Sequence, residues 1–177
     1  MPISDPIARP ARIAVCVLTL ALAGCAGDQF QASQPSMYRS MAQAGAELDT
    51  AAAASMISGY RANNGLGAVT IDPELTKLAE AQSRAMVAKD KLDHNVSGSL
   101  KDRVKKSGYD ARTAVENISA GYHTLAEAFS GWRDSPPHKA NMLNKSATRM
   151  GIAAIYAPNS KYKVFWTLIM AQPDTPS

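Results

Sequence analysis

Two runs close to the C-terminus, RMGIAAIYA beginning at 149 and KYKVFWTLIMAQ beginning at 161, are rich in β-branched and aromatic residues, with the turn-forming PNSK bridging them. A connection that short leaves only one pairing, an antiparallel hairpin. The helical segments upstream can cover such a sheet. IDPELTKLAEAQSRAMVAKDK has Asp72 to cap, Pro73 in the first turn, and Leu75, Leu78, Ala79, Gln82 and Met86 along one face. LDTAAAASMISGYRANNG is a second helix, with Leu48, Met56, Ile57 and Tyr60 inward. SLKDRVKKSG is a third, ending at Gly108. TLAEAFSGWRD is capped by Thr124 and turns Leu125, Ala128, Phe129 and Trp132 inward, while AVENISAGY reads as extended. Helices followed by a late hairpin describe an α+β fold with helices packed on an antiparallel sheet.

The 177 residues carry a formal charge of +4. The lysines and arginines are scattered, and the densest patch, KDRVKK at 101–106, reads as a solvated helix face. Without a basic stripe or aromatic platforms, nucleic acid is excluded as a partner. The N-terminus is a targeting segment. Arg9 and Arg12 precede an apolar run over 13–23 that is too short to span a bilayer. It ends in LAGC, Leu22 to Cys25, which resembles the lipobox of bacterial lipoproteins. That resemblance implies cleavage of 1–24, lipid on Cys25, and Ala26 where an aspartate would direct retention in the inner membrane. The expected location is the outer membrane, facing the periplasm. Residues 25–47 read as a flexible tether, 48–171 as the domain and 172–177 as a tail. Cys16 leaves with the signal, so the domain has no disulfide and is held by its core.

His138 lies in GWRDSPPHKANML, directly behind Pro136 and Pro137. Ser135 as N-cap and Pro136 at the first helical position would put this imidazole in the first turn of a short helix. The positive end of a helix favours the neutral ring there. His94, Glu116 and His138 are evenly spaced, each at a loop or element end. Two imidazoles and a carboxylate form a ligand set for zinc with one position open to water. Spacing alone leaves unrelated capping or surface residues as the simpler reading.

The surrounding words carry more. HN after a long helix, then ENISAGY, AFSGWRDSPPHKANML and the closing hairpin occur in an order that resembles the CAP superfamily, also called the SCP domain. That superfamily includes the cysteine-rich secretory proteins, antigen 5 and plant pathogenesis-related proteins. The likeness covers about residues 50–171 and implies a three-layer α-β-α sandwich with a central antiparallel sheet. It also implies a cleft holding two histidines and acidic residues, mapped here to His94, Glu116 and His138. Many members carry another glutamate just after the motif tryptophan. Here Ser135 stands in its place, Asp134 points elsewhere on a helix, and Glu127 is off the motif and reads as solvated. The set is reduced to three, as in bacterial members.

Three functions are consistent with this. The first is a membrane-tethered binding module whose cleft takes zinc or another divalent cation, a lipid or a cell-wall ligand, with no organic cofactor. The second is a metal-assisted hydrolase using His94, Glu116 and His138. The third is an envelope interaction protein with a vestigial site. The hydrolase reading lacks a nucleophile, because neither Ser119 nor Ser135 has an evident base.

Overall fold

The computed structural model describes Met1 and residues 34–174. Beyond Met1, the expected signal segment and Cys25 therefore lie outside the described residues. Ser33–Ser177 form one compact unit.

Helix α1 spans Thr50–Ala62, begun by Asp49, whose side chain accepts from the Ala52 N–H. Its alanine run has high helix propensity, and Gly65 takes the positive φ that turns the chain away. Strand β1, Thr70–Ile71, leads directly into α2, Pro73–Lys89. Asp72 caps α2 as expected, accepting from Glu74 and Leu75, with Pro73 in the first turn. Helix α3 covers Leu100–Ser107 and stops at Gly108, whose φ is 77°. Strand β2, Ala111–Ala120, is followed by α4, Leu125–Asp134, α5, Pro136–Met142, and the hairpin strands β3, Arg149–Ala157, and β4, Lys163–Pro173.

The strand order is β1-β3-β4-β2. All pairs are antiparallel except β1 with β3, so the sheet is mixed at one edge by a strand of two residues. Strand β4 lies inside the sheet and is buried from Val164 to Ala171. Phe165, Ile169 and Ala171 face α2, packing with Leu75, Ala79 and Met86. Val164, Trp166, Leu168 and Met170 face the opposite layer, where they meet Ile57 of α1, Leu125 and Trp132 of α4 and Met142 of α5. A strand covered on both faces loses the apolar–polar alternation of a half-buried strand, which accounts for its continuous run. Three layers result, as the resemblance implies.

Several expectations change. The stretch from 37 to 46, read as part of the tether, packs on the domain. Met41 is buried and its N–H donates to the His123 carbonyl, while Met37 and Ala46 lie against the same core. Apolar side chains at 37, 41 and 46 carry that packing, too few to show a periodicity. Ser135 stands at the start of α5, but its side chain makes no capping hydrogen bond. Glu127 is no idle solvated residue: its carboxylate accepts from the N–H groups of His123 and Thr124, closing a capping box on α4. Arg103 and Val104 of the expected solvated face on α3 are buried.

Candidate functional site

Strand β2 is an edge strand, and its alternation divides the site between the two helical layers. Asn117 pairs with Leu168 and Glu116 with Ile169. Glu116 therefore faces the α2–α3 layer and Asn117 faces the layer of α4 and α5.

On the first face, Glu116 is buried among polar partners. Its Oε1 lies 2.8 Å from His94 Nδ1, and its Oε2 accepts from Arg103 Nη2 at 2.6 Å. The Glu116 side chain is 3% exposed and that of Arg103 8%, while His94 stands 50% exposed at the opening. A carboxylate accepts and does not donate, so a neutral ring in this contact is assigned its proton on Nδ1 and its lone pair on Nε2. The loop carrying His94 is held from two sides. Gln82 of α2 donates to the carbonyls of Asp93 and His94 and accepts from Ser97. Arg103 Nε donates to the Gly98 carbonyl at 3.2 Å.

On the second face, asparagines tie α5 to the strand. Asn117 Nδ2 donates to the His138 carbonyl at 2.9 Å. Asn141 Nδ2 donates to both the Glu116 carbonyl and Asn117 Oδ1, each at 2.9 Å. His138 is thus fixed through its backbone, with its ring half-buried. Burial pushes its pKa below the ordinary histidine value, and the charge of His94 acts in the same direction. The two rings are close enough to sense one another.

The structure thus joins His94 directly to Glu116 on one face of β2 and ties the His138 backbone to Asn117 on the other. A zinc centre with three protein ligands does not fit this arrangement. Both Glu116 oxygens are engaged, and among the described residues no group of three or more His, Cys, Asp or Glu side chains is placed to hold an ion. Glu116 stands behind His94, in the position of an orienting partner. Of the two serines considered as nucleophiles, Ser119 has its Oγ buried without a hydrogen-bond partner, so neither ring activates it. Two hollows lie away from the histidines. One, of about 410 Å³, is lined by Met37, Met56 and Phe129, and another, of about 700 Å³, by Leu100, Val104 and Tyr109.

Arg103 and the loop-holding role of Gln82 escape the sequence reading. Gln82 has a signal, an amide within an apolar stripe, since a buried amide needs partners. Arg103 has none, because it is embedded in a run of charged residues.

A family model, Cysteine-rich secretory protein family (CAP), matches residues 54–170. The uncharacterized protein YkwD of Bacillus subtilis is 32% identical over 72% of this chain and 55% of its own length. The uncharacterized membrane protein YlbC of the same organism is 31% identical over 52% of the chain and 27% of its own. The chain therefore spans about half, or less, of these relatives. Among solved structures, an outer surface protein from Borrelia burgdorferi superposes with a TM-score of 0.65 at 19% identity, covering 71% of this chain and 93% of that one. An extracellular SCP-domain protein from Bacillus anthracis gives 0.59 at 24%, covering 67% and 38%. At such identities these two likenesses speak for the fold.

Proposed function

Since the chain belongs to the cysteine-rich secretory protein (CAP) family, we propose that it is a binding module of the bacterial cell envelope, anchored by lipid on Cys25, with the His94–His138 opening as its ligand site. The observation that carries this reading is the pair of neighbouring imidazoles, one locked by a buried carboxylate and the other biased toward its neutral form. Two ring nitrogens with available lone pairs accept hydrogen bonds from hydroxyl or amide groups, which polysaccharide and peptide of a cell wall present in abundance. They also suit a divalent ion that arrives with ligands of its own. A binding role is favoured over metal-assisted hydrolysis because both Glu116 oxygens are engaged, by His94 and by Arg103, leaving neither for an ion or a water. Relatives described as a membrane protein and an outer surface protein are in keeping with an envelope location.

The test uses the unit from residue 34 onward, which contains the whole described core. Soluble peptidoglycan fragments, and separately zinc chloride, are titrated while the histidine ring signals are followed by NMR. The fragments are expected to shift His94 and His138 together at pH 7.5, with the shift lost in His94→Ala and in His138→Ala. Zinc is expected to bind reversibly and more weakly than at a closed four-ligand site. The folded-state pKa of His138 lies below the unperturbed ~6.5, so its neutral, accepting ring persists into mild acid. The contribution of His138 to binding is present above that lowered value and is lost as the pH falls through it. Fragments and zinc that both leave the two rings unmoved would overturn the reading.

The anchor is tested separately. Cells fed a clickable fatty acid should label the full chain but not Cys25→Ala. A 14-to-16-carbon chain at about 0.8 kcal/mol per buried methylene gives only reversible binding, so firm retention calls for more than one. Equal labelling of both proteins removes the anchor and leaves the cleft untouched.

A further inference from the structure

We propose that Arg103 is a positioning residue: it holds one oxygen of Glu116 so that the other accepts from His94 Nδ1–H, and through that carboxylate it keeps Nε2 turned to the ligand. The proposal rests on His94 as a binding group, but its readout needs no ligand. Three side chains from three elements form the chain of contacts: Arg103 of α3, Glu116 of β2, and His94 of the loop after α2. Arg103 Nη2 donates to Glu116 Oε2 at 2.6 Å, and Oε1 lies 2.8 Å from His94 Nδ1. Arg103 is itself pinned to the same loop through the carbonyl of Gly98, and its Nη2 lies 3.5 Å from the carbonyl of His94. The carboxylate and the guanidinium are buried, so water does not readily substitute for either partner.

The donors and acceptors that each group can offer decide the outcome. A guanidinium has five N–H donors and no acceptor. Whatever occupies position 116 must therefore show Arg103 an oxygen. A carboxylate meets that demand with one oxygen and still has a second to accept from His94, which fixes the Nδ1–H tautomer and presents a bare Nε2. This division of labour also accounts for the poor fit of Glu116 as a metal ligand, because both of its oxygens are already used inside the protein.

Glu116→Gln separates this proposal from a generic packing role, since the side chain keeps its shape and loses one acceptor. Arg103 will claim the amide oxygen, leaving the NH2 group turned toward His94. The ring must then accept at Nδ1 and carry its proton on Nε2, so the atom facing the opening changes from acceptor to donor. Removing Arg103 as well, in Glu116→Gln with Arg103→Met, frees the amide to turn, and both tautomers should appear.

Ring nitrogen shifts at pH 8, recorded on 15N-histidine-labelled protein of residue 34 onward, distinguish these forms directly. The wild type should show Nδ1–H alone, Glu116→Gln should show Nε2–H alone, and the double variant a mixture. A wild type with its proton on Nε2 overturns the proposal whether or not the variants fold. So does a Glu116→Gln protein that keeps Nδ1–H, or a double variant indistinguishable from the single one. Failure of every ligand to bind, with the tautomers as stated, would remove the functional reading and leave this one standing.

Discussion

Gly151→Ala is expected to unseat α2 from the sheet and to cost at least about 3 kcal/mol of stability. A Cβ at this position would overlap the main chain of Leu75 and Thr76. Those atoms are backbone, so no side chain can rotate out of the way. Neither partner can step back easily. The Asp72 N–H donates to the Met150 carbonyl at 2.8 Å, one residue from the contact, and the Asp72 side chain caps the helix that would have to move. Gly59 provides the comparison. It lies in α1 with nothing within 4 Å of its would-be Cβ, so the same added methyl should stabilise by roughly 0.5–1 kcal/mol through helix propensity. Thermal melts of the two variants should move in opposite directions, Gly151→Ala downward by about 10 °C. A Gly151→Ala protein melting with the wild type would show that helix and strand are not in that contact.

The reach and the failure of the sequence reading follow one physical line. Features decided by neighbours in the chain are legible: the Asp72–Pro73 start of α2, Thr124 as the cap of α4, and Gly108 as the end of α3. So is the hairpin, because two runs rich in β-branched and aromatic residues flank the turn-forming PNSK. Strand β1 is not, since two residues have no period to display. The site divides in the same way. His94, Glu116 and His138 can be named from their surrounding words, yet only the fold shows that Glu116 is turned inward and bound on both oxygens. Arg103 reads as solvated because its neighbours are lysines and aspartate. Its burial is decided by how α3 lies on β2, which no local pattern encodes. The same is true of Met41, whose packing depends on the backbone of His123.

Arg61 is the strongest instance of that rule, and its removal is expected to damage fold and site together. In the sequence it is merely a cation in the last turn of a helix, where such charges are common. In the fold it is 1% exposed and fans out to four carbonyls. Its Nε donates to Gly67 at 2.8 Å, Nη1 to Met142 at 2.9 Å and Asn144 at 2.8 Å, and Nη2 to Ala147 at 3.0 Å. Met142 is the last residue of α5, so Arg61 supplies from another helix the donors that the end of α5 lacks. Burial pulls its pKa down, in keeping with a cation whose lost hydration is answered by carbonyl dipoles. Arg61→Ala would take a donor from each of the four carbonyls, of which Asn144 keeps the Ala147 N–H at 3.3 Å, and leave a cavity where the side chain was. A loss of about 4 kcal/mol is expected, seen as a shift in the urea midpoint. Arg61→Lys keeps the charge, but a single ammonium cannot span the fan, so roughly half that loss should remain. Because α5 carries His138 and Asn141, its loosening should broaden the ring signals of His138 in the folded variant. His94, held instead by Glu116, Arg103 and Gln82, should stay sharp. Equal broadening of both rings would mean that the two histidines share one support, contrary to the separate layers that hold them here.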